Sequence, residues 1–399
     1  MREEKKMSYT THQSQTTDML IVGGGVIGCA IAYELSKRGM QVTLLERGRL
    51  GLGTTCTAAG MLAPVAERFK HKGLGSFARL SLDYFSIWAE ELWEQSHVDI
   101  ELRKRGLFIP VGSAEDVQDI QNELQQTNTY SNEGGIDSGG IRWHPSSQMM
   151  KMEPRLSSEL QGAFFLTDEG HVSPTKLTFA LARSAERYGA RIVESQTVTH
   201  ILHKSGRVIG VETLGQSWHA GAVIICSGLE SGMLTRDLGV DLTFYPVQGE
   251  LAVVRSHALQ MESVVYGNGT YIVPKSEGNI YIGATSHAMR YDRTVKVGAI
   301  QRLISQATCL VPALAEAEWI QAWAGLRPAT TDGLPFIGPV KGYDGLWLAA
   351  GHYRNGILLS AATGIGLAQW ITDGVQQMPW PVMTHFAPQR AQVRALEFS

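Results

Sequence analysis

The stretch "DMLIVGGGVIGCAIAYEL", residues 18–35, decides the fold. Met19 to Val22 form an apolar run of strand length, three glycines follow, and Val26, Ile27, Ala30, Ile31 and Leu35 then recur at helical spacing up to Gly39. The pattern predicts strand, tight turn and helix. Gly23, Gly25 and Gly28 satisfy G-x-G-x-x-G: the first glycine permits the turn, the second lets a pyrophosphate approach the main chain, and the third brings helix against strand. The phosphates would then sit at the positive end of the helix dipole. "QVTLLE", residues 41–46, reads as a second strand, and Glu46 stands 18 residues past Gly28, near the roughly 20 that a dinucleotide site expects. Its carboxylate would accept hydrogen bonds from ribose hydroxyls and repel a 2′-phosphate, which disfavours NADP. NAD and FAD both remain open at this point, as does a glycine turn that only packs tightly; Arg47, taken alone, reads as a solvated surface charge.

The next segment separates the cofactors. "GTTCTAAGML", residues 53–62, is a run of small residues rather than an amphipathic helix, and it would let a broad planar group lie against the main chain. A flexible Gly/Ala linker is the alternative reading.

The whole chain sets outer bounds. Its 399 residues, 44% of them hydrophobic, suffice for two to three domain-sized units. The 35 basic and 38 acidic residues give a net charge of -3 with no basic stripe, which argues against nucleic acid as a partner. Cys29, Cys56, Cys226 and Cys309 are far apart and form no C-x-x-C pair, so the usage fits a reducing compartment without a zinc site or disulfide framework. Residues 1–17 are polar and are expected to be a disordered tail, with Met7 as an alternative start. No run reaches about 18 apolar residues, so integral membrane association is not expected and the cytoplasm is the expected location.

Further along, Leu82, Phe85, Trp88, Ala89 and Leu92 fall at helical spacing, "VDIELRKRGLFIPVG" turns strand-like, and a polar helix over 114–127 leads into "SNEGGIDSGG". Ser173 and Pro174 read as the cap and first turn of a helix carried by Leu177, Ala180, Leu181 and Ala185. Several short strands follow, ending in an apolar run over 222–226 before Ser227 and Gly228. "YPVQGELAVV" opens a second strand-rich run through "TYIVPKSEGNIYIGAT", with a hairpin turn at 275–279 that uses Gly278, and then a helix over 298–309. The expected class is α/β (α+β overall), a Rossmann-type FAD-binding domain with a discontinuous, mainly antiparallel substrate domain. The expected division is 18–78, 154–243 and 320–380 for the cofactor domain, 79–153 and 244–319 for the substrate domain, and 381–399 for a C-terminal tail.

Two segments carry the chemistry, "WAGLRPATTDGLPFIGPV" (323–340) and "LAAGHYRNGILLSAATG" (348–364). Arg327 lies in a low-charge stretch, where an arginine needs a partner. Its planar guanidinium suits a two-pronged pair with a carboxylate, as a substrate clamp or as a structural salt bridge. In the second segment a strand ends at Gly351, and Gly356 opens a helix with an apolar face of Ile357, Leu358, Ala361, Ile365 and Ala368. That helix start would stabilise negative charge gathering on a reduced flavin; an ordinary turn with Arg354 on the surface is the alternative. His352, just after the strand, reads better as a hydrogen-bonded packing residue than as a proton shuttle.

Taken together, the IVGGG start, ERG…TT…AAGML, TYIVP, WAGLRPATTDGLPFIG and AAGHYRNGILL resemble the glycine oxidases of the D-amino acid oxidase superfamily, from residue 18 to about 372. The resemblance implies a non-covalent FAD, oxidation of glycine by hydride transfer to flavin N5 to give an imine, then glyoxylate and ammonia, and reoxidation by oxygen to hydrogen peroxide. It also implies a link to thiazole formation in thiamin biosynthesis and a homotetramer. Carried over by position, Arg327 holds the substrate carboxylate, Tyr271 closes over it, and Arg354 lies beside both flavin and substrate. Without the resemblance, Tyr271 is a half-buried strand tyrosine. The implied FAD contacts are Gly23, Gly25, Val26, Ile27, Gly28, Glu46, Arg47, Thr54, Thr55, Ala58, Ala59, Gly60, Met61, Val198, Ser227, Gly228, Gly351, His352, Arg354, Asn355, Gly356, Ile357 and Leu358, with Met61 also facing the substrate.

Departures from the family pattern bear on selectivity. Gly269 stands where the pattern has a histidine, and Ser286 where it has a methionine lining the pocket. The two changes predict a roomier site in which sarcosine or D-alanine competes with glycine. The related sarcosine oxidases attach flavin through a cysteine that would fall near Gly325, so that link is absent. A D-amino acid or sarcosine dehydrogenase using another electron acceptor, and a flavin-binding scaffold or electron-relay subunit, remain open as alternatives.

Overall fold

A computed structural model describes residues 17–131, 140–377 and 380–391. The expectations for the N-terminal tail up to residue 16, for the start at Met7, for all but the ends of the loop at 131–140 and for residues 392–399 lie outside the described residues.

The glycine-turn reading is matched element by element: strand Thr17–Val22, helix Val26–Lys37, strand Val42–Leu45. Among the described residues the first sheet has eight strands. Its centre is parallel, with Leu346–Ala350, Gln216–Ile225, Thr17–Val22, Val42–Leu45 and Arg191–Val193 side by side, and Phe336–Pro339 adds an antiparallel edge. Parallel strands covered on both faces need apolar side chains at successive positions. Met19 and Ile21 accordingly face the helices Val26–Lys37 and Gly356–Asp373, while Leu20 and Val22 join the opposite core with Val223, Ile225 and Leu348.

The second sheet has nine described strands and is mainly antiparallel. Phe244–Arg255 is its spine, paired with Glu318–Thr330 along nearly its whole length and with Asn279–Gly283 on the other side. Thr270–Pro274, Val264–Gly267, Leu107–Val111, Gly162–Leu166 and Ile141–Pro145 continue it.

Three placements differ from the expected division. Strands Gly162–Leu166 and Glu318–Thr330 lie in the second sheet, although the first and all but the opening two residues of the second fall in stretches assigned from sequence to the cofactor domain. Glu318–Thr330 pairs with the remote Phe244–Arg255, and Gly162–Leu166 with both the nearby Ile141–Pro145 and the remote Leu107–Val111. The helix at 79–93 extends over Lys72–Ser96 and packs in the core of the first sheet rather than in a substrate domain. Its Trp88 indole donates to Glu34 (3.1 Å), and its Glu91 accepts from Tyr33 (2.8 Å), both on the glycine-turn helix. Finally, residues 380–391 are not a tail: Met383 and Phe386 are fully buried, the Phe386 ring stands 5.3 Å from Phe77, and Arg390 pairs with Asp332 at 2.9 Å.

Candidate functional site

The central strands of the first sheet run parallel, so their C-terminal ends open on one edge, the place where open α/β sheets bind ligands. A cavity of about 880 Å³ lies there, lined by the residues that follow Val22, Leu45, Ile225 and Ala350, and it continues to Tyr271 and Arg327 on the second sheet.

Its first half is built largely from main chain. Gly23 has φ +111°, and a Cβ on Gly28 would overlap the Gly23 carbonyl oxygen, so only glycine lets the helix start this close to the strand. Gly25 caps the helix in an extended conformation with open space on its Cα apart from Thr55 Oγ1 at 3.4 Å. The Glu46 carboxylate is held by the N–H groups of Gly24 (2.7 Å) and Gly48 (2.8 Å), which fixes its direction. The exposed Arg47 pairs with Glu230 at 2.8 Å, a solvated contact of small energetic weight. The small-residue segment is tied at several points: Val26 N–H donates to Thr55 (3.2 Å), Thr54 to the Leu326 carbonyl (2.8 Å), and the Trp323 indole to the Thr57 carbonyl (3.2 Å). It is therefore a formed wall, not a linker. At Gly60, φ is +80° and a Cβ would overlap the Val172 carbonyl.

The second half is built from side chains. Arg327 comes from Glu318–Thr330, and its guanidinium lies flat over Gly249, where a Cβ would occupy the same space. It donates to the Thr285 carbonyl (3.1 Å) and makes no ion pair among the described residues. Burial lowers its proton affinity only from a very high starting value, so it stays cationic. Tyr271 lies over Gly283, its cross-strand partner, where again a side chain would not fit. Burial pushes its phenol up to about 12, and Arg327 and Arg354 pull it back, so it remains a neutral donor. Arg354 pairs through Nε with Glu67 (3.4 Å), which raises its pKa, and reaches the Tyr266 hydroxyl at 3.5 Å. His352 is buried against Thr363 (3.1 Å), and burial lowers it to about 3, so it is neutral, in keeping with the packing reading.

Of the expected cofactor contacts, all but Gly28 and Leu358 line the cavity. Gly28 acts from behind, by packing, and Leu358 points into the helical core at 1% exposure. Met61, Tyr271, Ser286, Arg327 and Arg354 line it too; Gly269 does not. Gly269 and Asn268, with φ +73° and +51°, form the two-residue turn between Val264–Gly267 and Thr270–Pro274, a position that demands glycine or asparagine for backbone reasons. Sequence reading missed Glu67, Tyr266, Thr285 and Gly249. Only Gly249 carried a signal, as a glycine inside an alternating strand.

Comparison with known proteins decides the family. The model of the FAD dependent oxidoreductase family matches residues 18–370. The chain belongs to the FAD-dependent oxidoreductase family. Within it, glycine oxidase of Geobacillus kaustophilus is 40% identical over 357 residues, 89% of this chain and 92% of that protein. The crystal structure of glycine oxidase from the same organism superposes with a TM-score of 0.85 at 37% identity, covering 94% of this chain and 99% of that one. The bifunctional protein ThiO/ThiG of Synechocystis is 32% identical over 94% of this chain and 54% of its own length.

The family's FAD suits the cavity. The glycine turn leaves main chain approachable where a pyrophosphate must come close, Glu46 is aimed by two N–H groups toward the cavity, and the Ala58–Ala59–Gly60 wall has no side chain that would obstruct a planar ring. Gly325 lines the cavity beside the Thr57 side chain and, as glycine, offers the flavin no thiol to attach to. Among the described residues no helix is long and apolar enough to cross a membrane.

Proposed function

We propose that this protein oxidises glycine and comparably small amino acids with non-covalently bound FAD, using Arg327 to hold the substrate carboxylate. The supporting observation is an arginine without an ion-pair partner among the described residues, laid on Gly249 inside the cavity that begins at the glycine turn. A guanidinium placed this way takes a carboxylate by two parallel hydrogen bonds and sets the orientation of the α-carbon. Tyr271, neutral up to about pH 12, donates its hydroxyl to the same group and closes the site. Bound FAD supplies the hydride acceptor.

The remaining chemistry asks little of the protein. Among the described residues lining this end, Glu67 is engaged by Arg354 and His352 is neutral and bonded to Thr363. The ammonium proton therefore leaves to solvent rather than to a dedicated side-chain base, and orientation is the main task of the chain. The names of the relatives support glycine as substrate and thiamin biosynthesis as the context. Small residues around the cavity, Ser286 among them, suit sarcosine and D-alanine as further substrates.

The test is an anaerobic absorbance titration of the FAD-loaded protein with glycine, followed by air. Bleaching by glycine and recovery with stoichiometric peroxide are expected. A flavin that glycine leaves oxidised contradicts the substrate assignment, and reduction without peroxide on aeration moves the acceptor away from oxygen.

A further inference from the structure

The amino-acid end of the cavity holds two guanidiniums, and they are not equivalent. Arg327 faces it without an ion-pair partner among the described residues, whereas Arg354 is matched by Glu67 across 3.4 Å. Arg327, Arg354, Glu67 and Tyr271 lie close enough that each of the three charges acts on the Tyr271 phenol. Arg293 also lines the cavity but is exposed to solvent. A site with two open guanidiniums would be suited to a substrate with two carboxylates. Here the second guanidinium is already neutralised by a side chain of the protein.

We propose that Glu67 is a specificity-determining residue that restricts the site to amino acids with a single carboxylate, an inference that rests on the reading of Arg327 as the carboxylate clamp. A second carboxylate could reach Arg354 only by displacing Glu67, whose side chain is 13% exposed. The displaced Glu67 would remain in the cavity, unpaired and beside a like charge, which is costly at low exposure. Glycine, sarcosine and D-alanine do not meet this barrier, because each brings one carboxylate and Arg327 takes it. The placement of Glu67 is itself secured from below. The two residues before it on the chain, Val65 and Ala66, donate their N–H groups at 2.5 and 3.1 Å to one oxygen of the buried Glu169.

The experiment measures binding of two unreactive acids to the FAD-loaded protein through the perturbation of flavin absorbance: glycolate, with one carboxylate, and diglycolate, with two. For Glu67→Gln the ratio of Kd for diglycolate to Kd for glycolate is expected to fall at least tenfold from the parent value. Glu67→Asp, which keeps the charge, should stay near the parent ratio. Iminodiacetate should then reduce the flavin of Glu67→Gln anaerobically at concentrations that leave the parent oxidised. An unchanged ratio in Glu67→Gln overturns the inference while leaving the clamp reading intact. Failure of glycolate to perturb the parent flavin overturns the clamp reading, and the inference with it. If Glu67→Gln does not retain flavin, Glu67→Ser provides the second arm. It also removes the charge that neutralises Arg354, so the ratio should again fall at least tenfold, and an unmoved ratio overturns the inference.

Discussion

The two halves of the cavity are made differently. The half beginning at the glycine turn is built from consecutive residues: a strand end, three glycines, a helix start and an acid at the end of the next strand, all within residues 17–46. The amino-acid half is assembled from separate strands and turns. Arg327, Gly249, Tyr271 and Gly283 come from four strands joined through Phe244–Arg255 and Asn279–Gly283, and Glu67 and Arg354 come from two further segments outside that sheet. A main-chain surface is specified by where side chains must be absent, a side-chain cluster by where each must point. The first tolerates almost no change at a few glycines, and the second should degrade in steps.

That contrast can be broken most sharply at Gly28. A Cβ there overlaps the Gly23 carbonyl, a backbone atom that cannot swing aside. Gly28→Ala should yield protein without FAD or no soluble protein, checked by the ratio of absorbance at 450 nm to that at 280 nm, wavelengths at which flavin and protein respectively absorb. Stoichiometric FAD in that variant would show that the turn is not what holds the helix against the strand.

Gly249→Ala should act on the other half alone. Its Cβ would displace the Arg327 guanidinium, so KM for glycine should rise about tenfold or more while FAD content stays at the parent level. Loss of FAD together with the KM effect would mean that the two halves are not separable.

A smaller effect is expected at Glu169, which supports the segment leading to Glu67. Burial pushes its carboxyl up to about 8, and the N–H groups of Val65 and Ala66 offset only part of this. Between the ordinary glutamate value and about 8 the folded protein holds a proton that the unfolded chain has released, so stability falls as pH rises through that window. Glu169→Gln has no such proton to release, and the drop in Tm between pH 5 and pH 8 should be smaller than in the parent. An equal drop would assign the slope to other groups.

The same contrast explains what could be read from the sequence. The dinucleotide half was legible because each residue's role follows from its immediate neighbours: Gly23 by turn, Gly25 by approach, Gly28 by packing, Glu46 by its distance along the chain. From its own neighbours Arg327 was legible only as a cation in a low-charge stretch, since the Gly249 and Thr285 that surround its guanidinium are remote in sequence. Glu67 sits in a polar stretch with no local mark, and only the fold sets it against Arg354. The domain division missed Glu318–Thr330, whose partner Phe244–Arg255 lies far along the chain, and Gly162–Leu166, which joins the sheet between Ile141–Pro145 and the more distant Leu107–Val111.

The central claim, that Arg327 holds the substrate carboxylate, is tested most directly by anaerobic glycine titration of the parent and Arg327→Ala side by side. Loss of a charge-assisted two-pronged pair is worth roughly 2–3 kcal/mol. Arg327→Ala should therefore retain its FAD yet need on the order of 100-fold more glycine for half-reduction. Superimposable titrations of two proteins with full flavin content would contradict the account.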